Sequence, residues 1–100
     1  MLIVLATARL GDGALAQGRE AIAEMVAASN AEPGCIAYAF AQDLVDPDVI
    51  HIVEKWQDSD ALAAHFATPH MAAFRQALAG LDFQLIQVRK FETDEGQPLG

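Results

Sequence analysis

The sequence predicts a single α+β domain in which one antiparallel sheet carries its helices on one side. Three observations predict it. Four short β-rich runs alternate with two stretches of helical periodicity, in the order β-α-β-β-α-β. The link between the two middle runs is short, which makes them an antiparallel hairpin. The chain has 100 residues, enough for one core and not for a second domain.

Each element has its own signal. Leu2-Ile3-Val4-Leu5, continuing to Leu10, is short and β-rich, as a buried strand requires. Gly11-Asp12-Gly13 breaks it, with Asp12 placed to cap the following helix. Over Ala14–Ser29, Leu15, Ile22, Met25 and Val26 form one helical stripe, extended by Gly18 and Ser29. Gln17, Arg19, Glu20 and Glu24 form its wet side. Glu32-Pro33-Gly34 ends that helix.

Cys35–Gln42 reads as the second strand, with Ile36, Tyr38 and Phe40 on one face and Cys35, Ala37, Ala39 and Ala41 on the other. Asp46-Pro47-Asp48 is a turn signal, and Val49–Trp56 is the third strand. Asp58-Ser59-Asp60 opens a second helical region over Ala61–Ala67. Thr68-Pro69 interrupts and restarts it, with Thr as N-cap and Pro at the first helical position. Met71, Phe74 and Leu78 make the next stripe, and Gly80 stops it. Phe83–Phe91 is the last strand. Its adjacent Leu85 and Ile86 break strict alternation and point to a bulge or a doubly buried stretch. Residues 1–92 form the expected domain, and the polar run Thr93–Gly100 reads as a loose tail.

This order is the ferredoxin-like split-βαβ arrangement, a four-stranded antiparallel sheet with both helical regions on one face. The other face is left bare and apolar. Residues classed as hydrophobic make up 53% of the chain, a surplus that a second copy would cover. Ala37, Ala39 and Ala41 make part of that face smooth and suited to a close homodimer contact.

Composition narrows the function classes. The net charge is −8 with six Lys and Arg, a field that repels phosphate backbones and anionic lipid. Nucleic acid and membrane surfaces are therefore not expected partners. A single cysteine, Cys35, excludes an internal disulfide framework. Met1–Ala8 is too short for a membrane span and lacks a basic leader region, so cytoplasmic residence is the default expectation. No phosphate-cradling loop, dinucleotide fingerprint or serine elbow occurs.

Chemistry-bearing residues gather around the end of the third strand. Glu54 and Trp56, two apart, share a strand face with Ile50 and Ile52. His65 and His70 flank the Thr68-Pro69 restart on the layer that packs over the sheet. An acid, an indole and two imidazoles can therefore converge there, although each also has a plain packing role. The histidines are five apart, not the four of a helical metal pair, and only the Pro69 restart would bring them together. No metal is expected. Cys35 has no neighbouring cation in sequence to activate it and reads as packing.

Glu32-Pro33-Gly34-Cys35-Ile36-x-Tyr38, Asp46-Pro47, Glu54-x-Trp56, Ala61-Leu62-x-x-His65 and Thr68-Pro69-His70, in this order and spacing, resemble the antibiotic biosynthesis monooxygenase family over about residues 2–92. Quinol monooxygenase-like proteins belong to this family. The resemblance implies a dimeric α+β barrel with one pocket per subunit between sheet and helices. It also implies oxygenation of a small electron-rich aromatic, a phenol or quinol, by O2 without metal, flavin or other cofactor. Such a reaction needs a base, an apolar pocket and an aromatic wall. Carried onto this chain, either His65 or His70 serves as base. Trp56 forms the wall, Tyr38 and Glu54 orient the ring hydroxyls, and Ile52, Phe66 and Phe74 complete the substrate-binding surface.

Two departures from the family narrow this further. Ile52 stands where the aromatic-polyketide oxygenases carry a polar amide, which argues for a more apolar pocket. Ala8 and Arg75 stand where the haem-degrading branch carries an Asn and a haem-ligating His. Other functions compatible with the same scaffold are a ligand-binding or stress-associated dimeric module without turnover, and a lactone or dienol isomerase that consumes no O2.

Overall fold

The structure, a computed structural model, describes residues 1–100. The elements run β1 (Leu2–Leu10), α1 (Ala14–Asn30), β2 (Cys35–Gln42), β3 (Val49–Trp56), α2 (Ser59–Phe66), α3 (Pro69–Leu78) and β4 (Phe83–Glu92). The sheet is fully antiparallel in the order β2-β3-β1-β4, so β1 and β3 are central and β2 and β4 are edges. This is the expected α+β ferredoxin-like fold. The second helical region is two helices, because Thr68 caps the backbone N–H of Met71 and Pro69 starts a new axis.

Strand period dictates what each face carries. Leu2, Val4, Ala6, Ala8 and Leu10 of β1 are buried under the helices, while Ile3, Leu5, Thr7 and Arg9 face away. The main core joins Leu2, Val4, Tyr38 and Trp56 of the sheet to Ile22 and Met25 of α1, Leu62 of α2 and Phe74 of α3. A second cluster of Ala6, Ala8, Leu10, Ala14, Ile50 and Ile52 lies at the other end. The opposite face forms register rows of Ala37, Lys55, Ile3 and Phe91, then Ala39, Val53, Leu5 and Arg89, then Ala41, His51, Thr7 and Gln87. No helix covers those rows. No helix of the chain is long and apolar enough to cross a membrane.

Three local expectations need correction. Helix α1 is not capped by Asp12. Its N-cap is Gly13, at φ 75°, a left-handed conformation that glycine adopts without a Cβ penalty. Its most buried stripe is Ala14, Gly18, Ile22, Met25 and Ser29, with Leu15 and Val26 at the margin. In β2 the faces begin one residue out of step: the register shifts between Cys35 and Ala37, leaving Ile36 as the extra residue. Cys35 thereby pairs with Trp56 and packs against the core, whereas Ile36 is half exposed. The irregularity expected in β4 is present as a register shift that leaves Ile86 unpaired between Leu85 and Gln87. Residues 93–100 carry no helix or strand.

Candidate functional site

Between sheet and helices lies a cavity of about 170 Å³ whose floor is two consecutive register rows. One row contributes Tyr38, Glu54 and Val4, and the next Phe40, Ile52, Ala6 and Val88. The roof is Met25 of α1, Phe66 of α2, and Met71 and Phe74 of α3. The rest of the lining is Phe83 and Leu85 of β4. Leu85 and Val88 are each more than half exposed, so the cavity opens along β4, beyond the helical roof. A hollow of about 420 Å³ lies on the bare sheet face around Leu5, Thr7, His51, Val53 and Phe91. Its ionisable side chains, His51 and Arg89, are exposed. The smaller cavity combines apolar walls with perturbed acids, the usual marks of a binding site.

Glu54 and Tyr38 are the ionisable side chains on that lining, and they are cross-strand partners. Burial pushes the Glu54 carboxyl above its ordinary value. A hydrogen bond from Trp56 and the proximity of His65 oppose this, and the charge of Glu32 adds to it. Trp56 Nε1 donates to Glu54 Oε1 at 3.0 Å, which fixes the carboxylate's orientation. Burial also raises the Tyr38 phenol far above its usual range, with smaller contributions from Glu54, Cys35 and Glu32. Tyr38 is therefore a neutral phenol, able to donate to an oxygen in the cavity. Asn30, the last residue of α1, holds it by the backbone. Its Oδ1 accepts from Tyr38 N at 3.1 Å, and its Nδ2 donates to the Tyr38 carbonyl at 2.9 Å.

Behind this wall sits a second constellation. His65 Nδ1 and His70 Nε2 both bond Glu32 Oε2, at 2.7 and 2.8 Å. The His65 ring is 1% exposed and packs on Trp56 at 4.7 Å between centroids, on Tyr38 at 5.4 Å and on Phe66 at 5.7 Å. The turn that carries Glu32 approaches α2 closely because residue 34 is glycine: a Cβ there would collide with the Cβ of Ala61. The break between α2 and α3 swings His70 round to the same carboxylate oxygen.

Of the residues singled out from the sequence, Tyr38, Ile52, Glu54, Phe66 and Phe74 line the cavity. Trp56 does not form its wall. It is fully buried and acts on the site through Glu54. His65 and His70 are also off the lining and are engaged by Glu32. Glu32 and Asn30 escaped sequence reasoning. One signal for Glu32 was available: an acid just past a helix C-terminus opposes the helix dipole and calls for a compensating partner.

The profile of the antibiotic biosynthesis monooxygenase family matches residues 1–77. Among curated proteins, the Escherichia coli protein named probable quinol monooxygenase YgiN is 34% identical over 92 residues, covering 80% of this chain and 86% of that one. The uncharacterized protein sll1783 of Synechocystis sp. is 31% identical over 71 residues, and there the match spans 48% of the relative's length. A crystal structure from Deinococcus radiodurans, itself assigned to the antibiotic biosynthesis monooxygenases, superposes with a TM-score of 0.89 at 25% identity, covering 100% of this chain and 99% of that one. A conserved protein of unknown function from Bacteroides thetaiotaomicron gives a TM-score of 0.83 at 32% identity, covering 92% of this chain and 96% of that one. The fold, the motifs and these matches agree, and the chain belongs to the antibiotic biosynthesis monooxygenase family.

Proposed function

We propose that the protein is a cofactor-independent monooxygenase that oxidises a single-ring quinol or phenol with O2. The observation that carries this reading is the pairing of Glu54 and Tyr38 on the wall of an otherwise apolar cavity. At about 170 Å³ the cavity suits one aromatic ring; an apolar protein cavity of about 150 Å³ holds a benzene. A three-ring anthrone exceeds it. The likeness to a protein named probable quinol monooxygenase supports the same substrate class.

Glu54, rather than either histidine, is the base in this reading, because it reaches the substrate space and its raised pKa makes it a stronger proton acceptor than an ordinary carboxylate. It takes the proton of a ring hydroxyl, and the resulting anion gives electrons to O2 far more readily than the neutral quinol. Tyr38 donates to the second ring oxygen. For a hydroquinone the balance closes without a further reductant. One C–O bond replaces a C–H bond on the ring, the O–O bond breaks, and the second oxygen atom leaves as water with two of the protons that the ring carbon and its hydroxyls release. The four electrons come from the quinol, which becomes a hydroxyquinone. A second copy of the chain covers the bare sheet face in this reading, an arrangement favoured by the exposed Leu5 and Phe91.

O2 uptake by metal-stripped protein, measured over autoxidation with a panel of reduced mono- and bicyclic quinols, tests the proposal. Uptake with single-ring quinols that drops at least about 100-fold in Glu54→Gln is the expected outcome. Turnover without O2 consumption would reassign the site to isomerisation, and binding without turnover to ligand carriage.

A further inference from the structure

The geometry points to a divalent transition-metal site formed by Glu32, His65 and His70, behind the cavity wall and separate from the substrate space. Their three ligand atoms, Oε2, Nδ1 and Nε2, lie within 4.8 Å of one another. Two imidazoles and one carboxylate are a ligand set that suits Zn²⁺ and its first-row neighbours, with a further coordination position open. A hard ion such as Mg²⁺ prefers all-oxygen surroundings and is a poor match.

The arrangement is more than a collection of polar groups. The two histidines come from different helices, and both aim a ring nitrogen at the same carboxylate oxygen. No lysine or arginine pairs with Glu32; its ion-pair partners are these two rings. A tetrahedral ion with bonds of ~2.0–2.1 Å sets its ligand atoms about 3.3 Å apart. As the ion enters, the present contacts of 2.7 and 2.8 Å open by about half an ångström, and the edge between the two ring nitrogens, within 4.8 Å, settles to the same separation. Each imidazole then carries its proton on the other ring nitrogen.

The site is also held and reachable. Backbone bonds from Glu32 N to Ser29 O at 3.1 Å and from Cys35 N to Glu32 O at 3.1 Å fix the turn that presents the carboxylate. Thr68 Oγ1 donates to the His65 carbonyl at 2.7 Å, which pins the junction of the two helices. His65 is sealed, but the His70 side chain is 24% exposed and gives an ion a route from solvent. An ion here would fix the His65 ring against Trp56 and Tyr38 without touching a molecule in the cavity.

Calorimetric titration of chelator-treated full-length protein with Zn²⁺, with thermal melts and Co²⁺ absorption alongside, tests the site. The expected result is one ion per chain with a micromolar or tighter Kd, a raised Tm, and Co²⁺ d–d bands of low-coordinate N/O ligation. His70→Ala and Glu32→Gln should each weaken Zn²⁺ binding at least tenfold. His51→Ala, which removes the remaining histidine of the chain, should leave it unchanged. A millimolar Kd, or binding that survives both His70→Ala and Glu32→Gln in folded protein, overturns the assignment. Because the readouts are binding and spectra, they are independent of whether the cavity oxygenates quinols.

Discussion

The indole of Trp56 donates to the carboxylate of Glu54 from two residues along the same strand, at 3.0 Å. The bond favours the charged form of an acid that burial pushes the other way. Trp56→Phe keeps an aromatic ring in the core and deletes the donor. The expected consequence is a Glu54 that ionises at still higher pH. The acid limb of kcat/KM should therefore move upward, while activity at the alkaline plateau is largely kept. A pH–rate profile of the two proteins with a single-ring quinol reads this directly.

Glu54 should also leave a mark on stability. Its folded-state pKa is raised above the ordinary 4.5, so the native protein binds more protons than the unfolded chain through that window. The stabilisation that this proton provides is complete below the unfolded value and is lost as pH rises through the folded one. Glu54→Gln removes the ionisation and preserves an acceptor for Trp56. Urea denaturation from pH 4 upward should show the variant gaining on the wild type as pH rises, then a constant difference once Glu54 is fully charged.

Asn30 holds both backbone groups of Tyr38 with one side chain. Asn30→Ala should destabilise by about 1–3 kcal/mol, since it unpairs part-buried backbone groups. Activity should fall further than stability explains, because the phenol loses its anchorage. Chemical denaturation and KM measured together separate the two effects.

Gly34 and Ala61 share one small space. Gly34→Ala should cost about 1–3 kcal/mol through overpacking. Adding Ala61→Gly should recover a large part of that despite glycine's poor helix propensity, a coupling that a double-mutant cycle measures. Ala61→Gly alone should show only the helix-propensity loss of about 1 kcal/mol.

Leu5 and Phe91 are each 45% exposed on the bare sheet face. In the dimer proposed above this face is the interface, so Leu5→Asp and Phe91→Asp should each favour the monomer in sedimentation equilibrium. The cavity-lining residues, on the opposite face, are untouched by either change.

Much of this molecule was legible in its sequence, and the rest divides by physical range. The Thr68-Pro69 restart, the hairpin and the Leu85-Ile86 irregularity are local patterns of period and turn chemistry, and they appear where the residues suggest. The extra residue Ile36 was hidden because Cys35 and Ala37 are small and fit either face of a strand; cross-strand pairing, not local preference, decides. Gly13 rather than Asp12 caps α1 because the tight entry needs a positive φ more than a side-chain acceptor. In the site, Glu54 and Tyr38 could be placed by alternation along their strands. Glu32 could not: it meets His65 from 33 residues away, through the approach that Gly34 allows.

Strand order has a consequence for how the chain comes into being. β1 lies between β3 and β4, so the first strand to emerge from the ribosome waits for the last one before both its edges are paired. Until β4 is released, one edge of β1 stays open as a template for stray pairing, and the cavity lacks the Phe83, Leu85 and Val88 side of its lining. Such long-range pairing is the slow part of folding for a sheet of this topology. Nascent chains stalled before residue 83 should therefore be the form most in need of chaperones, and the binding cavity is completed only as the final strand docks.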